Sequence, residues 1–209
     1  MISAIVLAAG ASTRMGQAKA ALPFGQTGET VLARVVKTLI EGGAPRVVVV
    51  AGAHIDAVRA SMPSLAAASG DARARVVEHP GWQKGQLSSL LAGLDAIDDP
   101  LLEAALVTLV DVPLVRASTV AEVIAAWRRT RAPIVRPAQG ERHGHPVMFD
   151  RSIFGDLRAA DPNTGAKAVF ALHRDRIVNV QVEDAGAFED IDTPEDYAKV
   201  LRAAGPASP

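Results

Sequence analysis

Apolar residues along this chain follow two patterns that alternate with each other. Residues 3–8 (SAIVLA) form a continuous apolar run that ends in glycine and small polar residues, which is typical of a strand buried on both faces of a sheet. Residues 30–41 instead carry Val, Leu and Ile at helical spacing and end at Gly42 and Gly43, a common helix stop. Both patterns recur down to the last helix.

The patterns predict a regular succession of strands and helices. Strands are expected at residues 3–8, 46–51, 74–78, 105–110, 133–136, 145–149 and 176–182, and helices at 30–41, 54–62, 86–97, 118–129, 151–157, 165–172 and from 193 onward. Residues 64–75 are expected to form a surface loop. Thr193, Pro194 and Asp196 suit the cap, the first position and the first turn of the last helix.

Strands that alternate with helices indicate an α/β fold with a mostly parallel sheet. Ligands of such sheets bind outside the carboxyl ends of the strands. The length of 209 residues suits one domain, expected over residues 1–204, with residues 205–209 as a disordered tail.

Composition narrows the classes of protein to consider. The chain has 22 Lys and Arg against 23 Asp and Glu, and the group Arg128, Arg129 and Arg131 is interpreted as a solvated helix end, so no nucleic-acid partner is expected. There is no cysteine, which excludes disulfides and cysteine-ligated metal centres. No apolar run is long enough for a membrane span and no signal peptide is evident, so a cytoplasmic protein is expected.

The stretch LAAGASTRMGQAKAALPFG, from Leu7 to Gly25, is the strongest chemical signal. Its glycine spacing matches neither the dinucleotide fingerprint nor the nucleotide P-loop. A glycine-rich turn after a strand nevertheless presents several backbone N–H groups to anionic oxygens, and Arg14 and Lys19 add two cations that suit phosphates. The alternative is that the glycines only form a tight turn between strand and helix.

In the form LAAG-x-S-x-R-M-G-x-x-K-x-x-L-P, this loop resembles the signature of nucleotidyltransferases that join a nucleoside monophosphate to a phosphorylated acceptor. More narrowly, it is similar to the MobA-like family, which activates the molybdenum cofactor as a dinucleotide. The resemblance extends from about Ile2 to Leu201. Four further segments match the family in order: His79 to Leu90, Leu109 to Pro113, Gly144 to Phe149 and Asp190 to Asp196.

The resemblance implies a three-layer α/β/α sandwich with a Rossmann-like sheet of the nucleotide-diphospho-sugar transferase type. It also implies a nucleoside triphosphate and Mg²⁺ under the first loop, with release of pyrophosphate. The nucleotide-binding residues would be Leu7, Ala8, Ala9, Gly10, Arg14, Lys19, Gly85, Ser88 and Ser89. Those contacting the acceptor would be Gly144, His145 and Pro146. Because Ala9 stands where the guanylyl branch more often has glycine, CTP is favoured over GTP.

Within this resemblance, Arg14, Lys19 and Asp111 are the expected catalytic residues. Lys19 and Arg14 would neutralise the β- and γ-phosphates. Asp111 follows an apolar strand, and with Asp192 it would hold Mg²⁺, which needs only one or two carboxylates. Asp190 is the rival of Asp192, because alternation along a strand would put both on one face. The acceptor phosphate is already anionic, so no general base is required.

Structural interpretations remain open beside these roles. Asp111 could be a turn residue before Pro113, and Asp192 could belong only to the start of the last helix. Ser88 and its neighbours could form an ordinary helix N-terminus. His143 and His145 are spaced as a metal pair but lack a third ligand, so His145 is interpreted as an acceptor contact or a structural residue.

The sequence therefore predicts a molybdenum cofactor cytidylyltransferase that acts on a phosphorylated pterin. It could also contact a molybdoenzyme or its maturation factor transiently. The alternatives are a guanylyltransferase of the same cofactor, a nucleotidyltransferase for sugar phosphates or other small-alcohol phosphates, and a non-catalytic module that delivers the cofactor. A redox dinucleotide-binding domain is disfavoured by the glycine spacing and by the lack of an acidic residue at the required distance.

Overall fold

Strand β1 (Ile2–Ala8) lies inside the sheet with parallel neighbours on both sides, as its uninterrupted apolar sequence predicts. A computed structural model describes residues 1–25, 28–61 and 73–204 of the chain. Side chains of β1 alternate between two hydrophobic cores: Ala4 and Val6 belong to one, Ile5 and Leu7 to the other. A strand that must fill both cores has no position for a polar side chain at its centre.

Eight strands form one mixed sheet in the order β3-β2-β1-β4-β7-β5-β6, and β8 pairs with β5 on a branch from this path. The pairs joining β1, β2, β3 and β4 are parallel, as is β5 with β8, whereas β7 runs antiparallel to β4 and β5. The strands after β1 are β2 (Val47–Ala51), β3 (Ala74–Glu78), β4 (Ala104–Leu109), β5 (Ile134–Gln139), β6 (Arg142–His143), β7 (Val147–Asp150) and β8 (Ile177–Gln181).

Helices cover both faces of this sheet. Their bounds are α1 (Val31–Glu41), α2 (Ile55–Ala60), α3 (Gln86–Ala96), α4 (Ala117–Thr130), α5 (Phe154–Ala159), α6 (Lys167–Leu172) and α7 (Pro194–Ala204). Helices α1, α2, α4 and α7 contribute to one core, and α3, α5 and α6 to the other. The expected α/β/α arrangement with a mostly parallel sheet is therefore confirmed. Within the described residues, no helix is long and apolar enough to cross a membrane.

The structure departs from the predicted elements in the second half of the chain. The two-residue strand β6 was not predicted; it pairs with the end of β5 across a turn in which Gly140 has a φ of 61°. Residues 151–157 form a 3₁₀ turn followed by α5, because the Asp150 side chain caps the turn at the Ser152 N–H. Met62, residues 64–72 of the predicted loop and the predicted tail at 205–209 lie outside the described residues.

Candidate active site

The glycine-rich loop leaves β1 as an open turn held by its own backbone. Ser12 adopts a left-handed φ of 49°, and its carbonyl accepts hydrogen bonds from the N–H groups of Met15 and Gly16 at 3.0 and 3.1 Å. From the start of α2, the His54 ring Nε2–H donates to the Ala11 carbonyl at 2.9 Å. The loop is thus fixed at both ends of its exposed part, which suits a preformed anion site.

Lys19 leads a short 3₁₀ turn and lies between two carboxylates. Its Nζ is 2.9 Å from Asp111 Oδ2 and 2.8 Å from Asp192 Oδ1, although these aspartates are 92 and 173 positions away in the chain. Arg14 Nη1 contacts the second oxygen of Asp192 at 2.9 Å. The four residues that the sequence marked as the chemical centre therefore form one connected ion-pair network.

The backbone explains why Asp192, and not Asp190, joins this network. The Ile191 N–H donates to the Asp111 carbonyl at 2.8 Å, which ties the segment to the end of β4. Asp192 then enters a capping box: Thr193 Oγ1 and Asp196 bond to each other and to each other's backbone N–H. The segment is not a strand of the sheet, so the expected alternation does not apply, and Asp190 is exposed with Asp192 turned inward.

Electrostatics keep this network charged. Burial alone would lower the pKa of the Lys19 ammonium, but its hydrogen bonds to Asp192 and Asp111 and their charges raise it above its usual value. The hydrogen bond from Lys19, with the charge of Arg14, lowers the pKa of Asp192. Neutral solution therefore leaves the lysine protonated and Asp192 ionised.

The two carboxylates fit a hard divalent cation. Asp111 Oδ1 is buried and has no hydrogen-bond partner in the part of the chain that the structure describes, while Oδ2 shares Lys19 with Asp192. Oxygen ligands of this kind suit Mg²⁺, which keeps several waters and takes few protein ligands. Among the described residues there is no group of three or more His, Cys, Asp or Glu side chains that could hold a metal by itself. Phosphate oxygens and water would have to complete the coordination.

A first cavity of about 440 Å³ opens beneath the glycine-rich loop. Of the predicted nucleotide-binding residues, it is lined by Leu7, Ala8, Ala9, Gly10, Lys19, Gly85 and Ser89. Arg14 and Ser88 are not brought into its wall. The Ser88 hydroxyl instead donates to the Gly85 carbonyl at 2.8 Å and lies 3.0 Å from the Nε2 atom of the His79 ring. These contacts favour the interpretation of Ser88 as part of an ordinary helix N-terminus.

The sequence interpretation omitted several residues that line the first cavity: His54, Trp82, Gln83 and Gln86. Trp82 packs directly on Gly52, where a Cβ would lie 2.6 Å from the Trp82 Cβ. The local signal for this wall was the segment from His79 to Leu90, in which Trp82 and Gln83 stand between two glycines and Gln86 follows the second. Gly85 has a φ of 97°, so its backbone turn favours glycine.

A second cavity, of about 790 Å³, adjoins the first, and both are bordered by Leu7, Gln86 and Leu109. Gly144 and His145 line it as expected for acceptor residues. Pro146 instead borders a small cleft together with Thr38 and Val120, which belong to the opposite face of the sheet. A Cβ on Gly144 would be 2.1 Å from the Ala187 carbonyl oxygen, so this glycine permits a close backbone approach.

His145 is a neutral group in this wall. Burial lowers the pKa of its imidazole and outweighs a backbone hydrogen bond to Val107 and the charges of Asp111 and Asp190, which raise it. Its Nδ1 is buried and has no hydrogen-bond partner among the described residues. The backbone N–H of His145 donates to Ala187 at 2.9 Å, which holds the residue at the edge of the cavity. His145 therefore contributes a neutral, largely buried ring to this wall.

The mixed sheet, the loop at its edge and the adjoining cavities are the architecture of an α/β nucleotidyltransferase. The sequence profile of the MobA-like NTP transferase domain matches residues 4–178, and the chain belongs to this family. The resemblance to this family is thereby confirmed. The matched residues include the glycine-rich loop and three of the four later segments, and Asp190 to Asp196 lies beyond them.

Similar proteins carry more than one activity in their names. The nicotine blue oxidoreductase of Paenarthrobacter nicotinovorans is 29% identical over 209 residues, which is 96% of each chain. The molybdenum cofactor cytidylyltransferase of Escherichia coli K12 is 25% identical over 197 residues, 94% of this chain and 93% of the other. The family therefore leaves the acceptor and the base of the nucleotide undetermined.

Solved structures share this fold. Rv0371c from Mycobacterium tuberculosis H37Rv has a TM-score of 0.79 with 27% identity, covering 96% of this chain and 97% of that chain. The same protein is known in complex with manganese, at a TM-score of 0.73 and 27% identity over 97% and 98% of the two chains.

Proposed function

We propose that this enzyme transfers CMP from CTP to the terminal phosphate of molybdopterin or the molybdenum cofactor and releases pyrophosphate. The observation that carries the proposal is the position of Lys19 between Asp111 and Asp192, beside two adjoining cavities. One cavity offers a glycine-rich loop to a triphosphate and the other offers a larger, mostly apolar space to an acceptor. The 25% identity to a cytidylyltransferase of this cofactor supports the choice of acceptor and base.

The chemistry follows from these positions. An oxygen of the acceptor phosphate forms a bond to the α-phosphorus of CTP, and the bond from that phosphorus to the bridging oxygen of pyrophosphate breaks. Lys19, with Arg14 at the exposed side, would stabilise negative charge on the departing pyrophosphate. Asp111 and Asp192 would hold a divalent metal, which supplies further neutralisation of phosphate charge when bound.

On this proposal, binding of the triphosphate and a metal ion rearranges the ion pairs of Lys19. Lys19 has 12% of its side chain exposed and contacts both carboxylates, so phosphate oxygens and a cation would replace these pairs by new ones. The lysine would then turn from the carboxylates to the phosphates. Because an ion pair is exchanged for another ion pair, the protein need not leave a buried charge without compensation.

A direct assay tests this function. The protein is incubated with α-³²P-labelled CTP, Mg²⁺ and molybdopterin. The labelled dinucleotide and the unlabelled pyrophosphate are then each measured. GTP, ATP and UTP replace CTP in parallel reactions. CTP-dependent formation of both products in equal amounts is expected. Faster transfer from GTP would move the enzyme to the guanylyl branch, and no transfer to molybdopterin from any nucleotide would contradict the acceptor.

A second candidate is favoured by the oxidoreductase relative, which is 29% identical over nearly the whole chain. Reduction of a dye such as the nicotine blue of that relative's name would then replace nucleotidyl transfer. Adding NADH or NADPH with such a dye, in the absence of any nucleoside triphosphate, distinguishes the two. Consumption of the reduced dinucleotide would support this candidate, and only nucleotidyl transfer would support the first.

A further inference from the structure

The second cavity has a charge distribution that the proposed transfer reaction does not explain by itself. Among the described residues, its wall contains no carboxylate, but it contains Arg136 and Lys167 as well as the two histidines His143 and His145. The first cavity differs, because Asp111 lines it and compensates Lys19. The second cavity therefore has an excess of positive charge around an apolar interior.

Arg136 is the central observation. It lies on β5, where its Nε donates to the amide oxygen of Asn179 at 2.9 Å, and its guanidinium carbon is 5.3 Å from the centre of the Phe170 ring. No carboxylate of the described residues forms an ion pair with it. A half-buried guanidinium held by an amide and a ring keeps free donors and an uncompensated charge.

The neighbouring groups respond to this charge. Burial lowers the pKa of Arg136, and burial together with the Arg136 charge lowers the pKa of His143. Glu141 is exposed in the same hairpin and does not line the cavity. The Glu141 charge raises the pKa of His143 from outside the wall, and other carboxylates outside the wall act on His145 in the same way. Among the described residues, none of these carboxylates lines the cavity or forms an ion pair with Arg136.

The strand spacing of the sheet gives the distance between the boundary of the two cavities and Arg136, which a ligand would have to span. Leu109, at the boundary of the two cavities, is on β4, and Arg136 is on β5, with β7 between them. Adjacent strands are about 4.8 Å apart, so Arg136 is roughly 10 Å across the sheet from the boundary. Arg136 and Ile134 share one face of β5, and Ile134 belongs to the core beneath α3 and α6, so the guanidinium faces the same space.

We propose that the second cavity binds an acceptor with a flat ring body and a second anionic group, and that Arg136 binds this group while Lys167 lies at the mouth. This inference rests on the proposed transferase role for the identity of the reacting end, which lies at the boundary with the first cavity. Phe149 and Phe170, whose rings meet edge to face at 5.8 Å, supply aromatic surface for the body. Arg136 is thereby a specificity-determining residue.

Two small probes test this inference without any transfer reaction. Dissociation constants of 2-naphthoate and of the uncharged 2-naphthalenemethanol are measured by ligand-observed NMR titration at low salt. The wild-type protein is expected to bind the carboxylate about tenfold more tightly, as for a hydrogen-bonded charged pair. Arg136→Gln should abolish this difference, and Lys167→Gln should reduce it by about twofold because that side chain is exposed.

The control is Arg129→Gln, which removes an exposed arginine from α4 on the other face of the sheet. It should leave the preference for naphthoate unchanged, and Arg136→Lys should retain part of it. Equal binding of the two probes by the wild type, or a preference that survives in folded Arg136→Gln protein, would overturn the inference. Because no nucleotide is present, a failed CTP assay would reject the proposed function and leave this result standing.

Discussion

The two cavities beside the sheet are built on opposite principles. In the first, Lys19 is paired with carboxylates, as is Arg14 just outside the wall, and much of the wall comes from one continuous stretch that ends β1 and forms the glycine-rich loop. In the second, Arg136 has no carboxylate partner within the described part of the chain, and most of the wall comes from β4, β5, β7, α3 and α6. A triphosphate needs the same neutralising groups in every member of a family, whereas an acceptor pocket must differ wherever the acceptor differs.

The first prediction tests the paired side and has the largest expected effect. Lys19→Ala should lower kcat for nucleotidyl transfer by about 10²- to 10³-fold, because one charge-stabilising donor is lost from the reacting centre. Steady-state kinetics with CTP measures it. Lys37→Ala, an exposed lysine on α1, is the matched control and should keep wild-type kcat. A loss of less than threefold in Lys19→Ala would remove this residue from the reaction.

The same variant sharpens the argument about the metal. Removing Lys19 leaves Asp111 and Asp192 without their shared cation, so Mg²⁺ alone should raise the Tm of Lys19→Ala more than that of the wild type. A magnesium titration followed by thermal unfolding provides the measurement. An equal rise in both proteins would contradict the assignment of these carboxylates to a metal site.

The second prediction separates the two aspartates that the sequence left in competition. Asp111→Asn and Asp192→Asn should each lower metal-dependent turnover by about 10²-fold or more. Asp190→Asn should stay within about threefold of wild type, because Asp190 is exposed and outside the network. Turnover is measured over a range of Mg²⁺ concentrations. A larger loss in Asp190→Asn than in Asp192→Asn would reverse the assignment.

The third prediction tests whether the cavities are functionally independent. Arg136→Gln should raise KM for the acceptor by about tenfold, as expected for one lost charged hydrogen bond, and leave KM for CTP unchanged. Varying each substrate at saturation of the other separates the two constants. An equal rise in KM for the acceptor and for CTP would show that the two cavities do not bind their ligands independently.

The fourth prediction concerns the base of the nucleotide. Ala9 lines the first cavity and is buried against the core under α3. Ala9→Gly removes one methyl group from the cavity wall and does not change its charge. We expect the ratio of kcat/KM for CTP to that for GTP to fall by several-fold, within the range of about 1–3 kcal/mol that one missing carbon supplies in a pocket. A ratio that does not change would locate base recognition elsewhere, for example at Gln83 or Gln86.

The smallest expected effect concerns the helix cap behind Asp192. Thr193→Ala removes two hydrogen bonds of the capping box and should lower Tm by about 2–4 °C, from a typical cap contribution of about 1 kcal/mol. The hydrogen bonds from Thr193 lower the pKa of Asp196, so this stabilisation is present above the unfolded pKa of about 3.9 and is lost as pH falls through the lower folded value. The Tm difference between wild type and variant should therefore narrow in acid, which scanning calorimetry at pH 7 and near pH 3 would detect.

Local sequence patterns were sufficient to predict several elements in the first half of the chain and the start of the last helix. Residues 74–78 form the strand that was predicted at the same residues, and β1 and α1 begin or end within one residue of their predicted bounds. Thr193 and Asp196 form the capping box that their spacing indicated. These features depend on neighbours three or four positions away or on apolar periodicity, so the chain itself contains the information.

Tertiary structure alone decided which distant groups meet. Lys19 meets Asp192 across 173 positions because the Ile191 N–H joins the end of β4, and no local pattern indicates that contact. Arg136 was not selected from the sequence at all, since an arginine in a short strand is unremarkable until Phe170, Asn179 and the lack of a carboxylate are seen around it. Local patterns along the chain were enough to predict the α/β class and the glycine-rich turn after the first strand. The charge balance of each cavity is a sum over residues from many elements, and only the folded chain brings that sum together.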